Sequence, residues 1–347
     1  MSIECRNFGS SEGTDVHEYT LDNAKGIQVH ILDYGCIITQ LHLPGRQGSA
    51  DVVLGFDNLK GYLKNTGYIG AVVGRYGNRI ADGRYILNGN RYQLDQNDGL
   101  NHLHGGFSGF DRQHYQSEAY READTLCVRL HRVSPHLEGG YPGNLDVTII
   151  YRLDRNSLTF EAHATTDMAT PVNIVQHSYF NLAGHGSGSI GNHRLQINSD
   201  SRTETDERLI PTGQIVPVAG TPYDFRDIDT MANRHKALSE AGIAGGFDCN
   251  YVLNTPMSEQ NPAAILHDPA SGRTMKIITN QPGLQLYDSS SLAPQHGKGG
   301  QSYTPGAGLC LETQNFPDAV NHDHFPEAIL PAEKQYKATT SYLFSVD

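Results

Sequence analysis

Tryptophan is absent from the 347 residues, and cysteine occurs only at Cys5, Cys36, Cys127, Cys249 and Cys310. An odd, widely spaced set with no C-x-x-C pair speaks against a disulfide framework or a zinc knuckle and fits a reducing compartment. No apolar run approaches membrane-spanning length, and no Lys/Arg cluster breaks a net charge of −12. Anionic lipid and nucleic acid would both be repelled, so neither membrane nor nucleic acid is expected as a partner. Residues 1–6 lack the charged and apolar regions of a secretion signal, which makes the cytoplasm the expected location. Helical periodicity is scarce too. Only residues 227–241 and 57–64 offer helix candidates.

Period-two alternation is abundant instead. Ile27/Val29/Ile31, Leu126/Val128/Leu130, the run from Leu145 to Leu153 and Leu158/Phe160/Ala162/Ala164 each put apolar residues on one strand face. Residues 85–94 read as a hairpin, because Asn88-Gly89 supplies the positive φ angles of a tight turn. No linker or repeat divides the chain, so a single antiparallel β domain over residues 1–347 is expected. Residues 288–308 are the longest irregular stretch, and a loop of that length is usually mobile or near a site.

Several familiar signatures fail. Gly186-x-Gly188-x-x-Gly191 fits the dinucleotide spacing, but strand-like Leu195-Gln196-Ile197 follows where a phosphate-binding helix should begin. Gly106-Phe107-Ser108-Gly109-Phe110 departs from a nucleophile elbow at its last position. The pairs His102/His104 and His322/His324 could each share a metal if they lay on strands. The first pair has no carboxylate close behind it, and Pro326 separates the second from Glu327. Neither metal nor organic cofactor is expected.

Other segments carry polar residues on the face opposite apolar ones. Val175, His177 and Tyr179 share a face; Cys310 and Glu312 oppose Leu309 and Leu311; Gln285 and Tyr287 oppose Leu284 and Leu286. Strands of this kind can line a polar cleft across a sheet. Singly, each residue also has an ordinary structural reading: Glu312 as a solvated carboxylate, His177 as a core imidazole on a carbonyl, Arg79 and Asp248 as an ion pair.

Together, Asn78-Arg79, Leu103-His104-Gly105-Gly106, the run from His177 to Leu182, Gly246-Phe247-Asp248, Glu312 with Asn315-Phe316-Pro317-Asp318, and Pro331-Ala332-Glu333 occur in an order that resembles the galactose mutarotase (aldose 1-epimerase) family. The resemblance covers about Glu18 to Phe344. It implies an all-β supersandwich that interconverts the α and β anomers of an aldohexose, a small-molecule sugar substrate, with Glu312 as base and His177 as acid. It further implies sugar contacts from Asn78, Arg79, His104, Asp248 and Gln285. Ordinary pKa values of roughly 4.3 and 6.5 would let Glu⁻ and His⁺ coexist in a mildly acidic window, which mutual attraction would widen.

Two departures stand out: Gln176 precedes His177 where many members have Asn, and Asp288-Ser289-Ser290-Ser291-Leu292 replaces a Gly-Asn-Phe-type loop. The second leaves open which sugar is preferred, whether galactose, glucose or a pentose. The sequence also does not choose between monomer and homodimer. Two alternatives share the scaffold: a non-catalytic sugar-binding protein, and an epimerase of hexose 6-phosphates. The missing tryptophan counts against the first, and the lack of an arginine cluster beside the motifs counts against the second.

Overall fold

The computed structural model describes all 347 residues, 45% of them in strands, with two helices. The alternating runs form the strands they suggest. Thr125–Ser134, Leu145–Leu153 and Ser157–Thr166 are consecutive members of a nine-stranded antiparallel sheet, and their inward residues are fully buried. The sheet continues through Gln335–Val346, so the C-terminal strand lies near its middle, between Ser157–Thr166 and Arg273–Thr279. A five-stranded N-terminal meander runs from Ser2–Ser11 to Ala50–Asp51.

A second five-stranded sheet is ordered Pro211–Pro217, Ser201–Thr205, Asp248–Val252, Gly283–Tyr287, Cys310–Gln314. Tyr251, Leu284, Leu286 and Leu311 on its inner face join the main core with Ala338, Tyr342 and Phe344 of the large sheet. Burying such faces is the dominant stabilising term, about 25 cal/mol per Å² of apolar area removed from water. The opposite face carries Asp248, Gln285, Tyr287 and Glu312, which period two requires.

The 85–94 hairpin forms as Arg84–Leu87 and Asn90–Gln93, with Asn88 and Gly89 at φ 52° and 78°. The helices are shorter than the periodicity suggests. Leu59–Lys64 starts after an Asn58 cap. Met231–Glu240 begins late because Asp229–Thr230 pairs with Arg194–Leu195 as a strand, and Thr230 then caps the helix. The 288–308 stretch is also more regular than expected: Gln295–His296 pairs with Ser302–Tyr303. Between them buried Lys298 directs its ammonium to the carbonyls of Thr39 and Val53 and to Asp51, fastening the stretch to the N-terminal meander. No helix is long and apolar enough to cross a membrane.

Candidate active site

Three neighbouring strands set the floor of one cavity. The register places Asn250, Gln285 and Glu312 side by side, and Asp248, Tyr287 and Cys310 in the next row. His177 arrives from a different segment. Its backbone is held by Ala71 and Gly70, and the Phe180–Leu309 bridge fastens that segment beside the Cys310–Gln314 strand. The His177 Nε2 consequently lies 3.6 Å from Glu312 Oε1.

The opposite wall is built by the short ribbon pairing Arg79–Ile80 with His102–Leu103. Asn78 and His104 flank this ribbon, with His104 N–H donating to the Asn78 carbonyl. Gly105 must be glycine, because a Cβ there would lie 1.8 Å from the Gly74 carbonyl. The cavity holds about 320 Å³ and is lined by Asn78, Arg79, His104, His177, Asp248 and Glu312, with Tyr68, Tyr179 and Tyr287 among the other walls. That size suits a small molecule. Its rim is exposed at Thr66, Ser291 and Ala293, while Glu312 and His177 at the floor are 2% and 4% exposed.

Gln285, expected to contact the ligand, does not line the cavity. Its amide donates to Asp248 Oδ1, and its oxygen accepts from Gln314, so it supports the Asp248 carboxylate from below. Arg79 lies 3.7 Å from Asp248, but its closer carboxylate is Asp98 at 2.8 Å. Nothing in the sequence near Asp98 marks it for that role. Tyr68 was equally silent. The 289–295 part of the irregular stretch does reach the cavity, through Ser291, Leu292, Ala293 and Gln295.

Electrostatics at the floor are governed by burial. Desolvation drives Glu312 well above the ordinary carboxylate range; Asp248 adds to the rise and Arg79 opposes it. Desolvation also takes His177 down to about 4. The expected mildly acidic window with both groups charged is therefore corrected: burial penalises each charge by more than their separation at 3.6 Å restores. Burial thus favours the neutral form of each group over the ion pair. Glu312 Oε2 is buried with no hydrogen-bond partner, a costly condition in a folded protein.

His104 is pushed far below its usual value, by burial first and then by His177 and Arg79. The Asn78 N–H donates to its Nδ1 at 3.0 Å, so the neutral ring carries its proton on Nε2. This bears on metal binding. His104, His177 and Glu312 present ligand atoms within 4.8 Å of one another. A ring whose Nδ1 lone pair is occupied and whose Nε2 is protonated is a hydrogen-bond donor, and a metal needs a free lone pair. The histidine pairs singled out in the sequence are engaged separately: His102 by the Asp95 carbonyl and Tyr141, His324 by the Gly213 carbonyl.

Of the dinucleotide-like glycines, Gly186 and Gly188 fall in a loop and Gly191 in the single 3₁₀ turn Ile190–Asn192, followed by the Arg194–Ile197 strand. The 315–318 motif proves to be a brace: Phe316 accepts from Tyr76, and Asp318 binds the backbone at Arg79 and Ala81, fixing the Asn78–Arg79 wall to the Glu312 strand.

The sequence model of the family described as aldose 1-epimerase matches residues 17–343. Curated relatives include galactose mutarotase of Bos taurus, 44% identical over 92% of both chains. That of Homo sapiens is 42% identical over 97% of this chain and 96% of its own. Aldose 1-epimerase of Escherichia coli is 33% identical over 96% of each. Among solved structures, galactose 1-epimerase from Lactobacillus acidophilus aligns with TM-score 0.86, at 28% identity over 99% of both chains. An aldose epimerase homologue from C. elegans gives the same score at 29% identity, covering 94% of this chain and 98% of its own.

Proposed function

The chain belongs to the aldose 1-epimerase family, and from that premise we propose that it interconverts the α and β anomers of an aldohexose such as galactose or glucose, with Glu312 and His177 exchanging protons with the sugar. The observation that carries this reading is the unpartnered, buried carboxylate oxygen of Glu312 in a cavity whose floor it shares with His177, 3.6 Å away. Only a polar guest completes it.

The pair shares one proton, and the reaction needs that count. Sugar hydroxyls donating to Glu312 stabilise its carboxylate, so on binding the shared proton passes to His177 Nε2. Glu312 then takes the anomeric hydroxyl proton as His177 Nε2–H protonates the ring oxygen, and the C1–O5 bond breaks. Rotation about C1–C2 turns the aldehyde over. Glu312 then returns its proton to the carbonyl oxygen while His177 recovers its own, and the ring closes on the other face. Nothing is consumed. General acid–base help is worth roughly 10²–10⁴-fold, and holding the sugar between the two groups adds to it. His104 Nε2–H and Arg79 donate to sugar oxygens, Asp248 accepts from sugar hydroxyls, and Asn78 orients both His104 and Arg79.

The chain is proposed to work as one unit over residues 1–347, since its main core takes side chains from Leu21 through Phe344. Five free cysteines support a cytoplasmic setting. A hexose 6-phosphate is not favoured, because Arg79 is the lone cationic side chain lining the cavity and it already faces two carboxylates.

Polarimetry on fresh α-galactose tests the proposal. Glu312→Gln and His177→Asn are expected to fold normally and lose at least about 10³-fold in rate, whereas a chelator leaves the parent rate unchanged. Full activity in either variant removes the acid–base pair. Loss of activity on chelation revives the metal reading.

A further inference from the structure

His177 is bracketed by two side chains of one strand face. Its Nε2 faces Glu312, and its Nδ1 lies 3.5 Å from the Sγ of Cys310, two residues earlier. Cys310 is fully buried, and burial holds its thiol far above the ordinary range, so it stays protonated. The remaining groups around the imidazole are Tyr179 stacked at 5.2 Å, His104 edge-on at 5.1 Å and Tyr68 at 6.0 Å. Beyond Glu312 stand Asp248 and Arg79, the charges that act on that carboxyl. Apart from the main chain of His177 itself, which opposes the downward pull of burial, no other hydrogen-bond partner approaches the imidazole.

The reaction cycles a proton on and off Nε2, so Nδ1 should keep its hydrogen throughout and needs an acceptor to hold it. The choice of acceptor tunes the acid. A carboxylate at Nδ1 would stabilise the imidazolium and make it a reluctant donor. A thiol sulfur is a weak acceptor. It fixes the ring's direction while leaving the cation unstabilised, which keeps Nε2–H acidic enough to protonate a poorly basic ring oxygen.

We infer that Cys310 is a positioning residue for the acid: its sulfur anchors His177 Nδ1 and, being a soft acceptor, keeps the imidazolium a strong proton donor. This rests on the acid–base reading above and assigns a tuning role to a side chain that need not touch the sugar.

The test compares Cys310→Ala and Cys310→Ser with the parent by pH-dependent mutarotation kinetics. Cys310→Ala is expected to lower kcat about tenfold with KM within about twofold, because the ring loses its anchor but the sugar contacts remain. Cys310→Ser substitutes a harder acceptor. Its acid limb of kcat/KM is expected to move up by about one pH unit while kcat falls. A thermal melt on each variant separates packing loss from tuning, since a purely structural cysteine would lower the melting point and leave the limb in place. If Cys310→Ala does not fold, the limb shift in Cys310→Ser decides. Parent-like kcat and limb in the folded variants overturn the inference. Should Glu312→Gln and His177→Asn still lack activity, the failure belongs to Cys310 alone; should they retain it, the acid–base reading falls first.

Discussion

Tyr68, Asn78 and His104 all line the cavity and all hold positive φ, at 53°, 62° and 52°. For non-glycine residues this region is sparsely populated, and an aromatic there is unusual. Each aims a side chain that the ordinary strand direction would send elsewhere. For His104 the result is a ring locked by the Asn78 amide as a neutral Nε2–H donor. A fixed donor can be replaced by another N–H group, so His104→Gln is expected to keep several-fold more kcat/KM than His104→Ala, which should lose about 10²-fold. Steady-state polarimetry on both variants checks this ordering, and equal losses would show that the donor is not what matters. The sequence made His104, His177 and Glu312 legible because ordered motifs carried them. Tyr68 and Asp98 were not legible, since a left-handed tyrosine and a carboxylate reaching an arginine across a ribbon leave no local pattern.

At the scale of elements, one carboxylate ties two cavity walls to a helix. Asp288 is wholly buried; it accepts from the backbone N–H of Phe247 and of Ser290 and pairs with His235 of the Met231–Glu240 helix at 2.7 Å. Phe247 immediately precedes Asp248, and Ser290 immediately precedes Ser291 of the rim. Gly246 leaves the space, since a Cβ there would come within 2.6 Å of the Asp288 carboxylate. Asp288→Asn should therefore loosen the placement of Asp248, raising KM for galactose about five- to tenfold with a smaller change in kcat. Kinetics across galactose and glucose would read the split, and an unchanged KM would dismiss the linkage. Strands were readable because burial on one face writes period two into the chain. This node was not, because Asp288 lies 41 residues from Phe247 and 53 from His235, and they meet only through the fold.

For the molecule as a whole, buried histidines set the response to acid. His102, His177 and His193 are taken to about 4 and His104 is also pushed well down, all chiefly by desolvation, from an ordinary 6.5. An unfolded chain binds protons at these four sites as pH falls below the ordinary value, and the folded one resists. Their stabilising effect is therefore complete above that value and is lost as pH drops toward about 4. His42 and His185 are lowered by burial too, whereas Glu312, Asp111, Asp248 and Asp318 are raised by it, Asp111 to about 6, and work in the opposite direction. Six histidines against four carboxyls leave stability rising with pH between roughly pH 5 and 6. Urea titrations across that range measure the slope, and a flat or falling line refutes the balance. The all-β class was plain from the alternation, whereas strand order was hidden: no local signal says that the last strand, Gln335–Val346, settles in the middle of the largest sheet.

Lys298 carries a related lesson about wholeness. Its three oxygen acceptors all come from residues 39–53, ahead of every proposed site residue. Cutting that stretch away would strand a buried cation and release the wall that carries Leu292 and Gln295. The chemistry therefore has no minimal fragment: a piece that keeps all the reactive groups but sheds the opening meander would still be missing part of its enzyme.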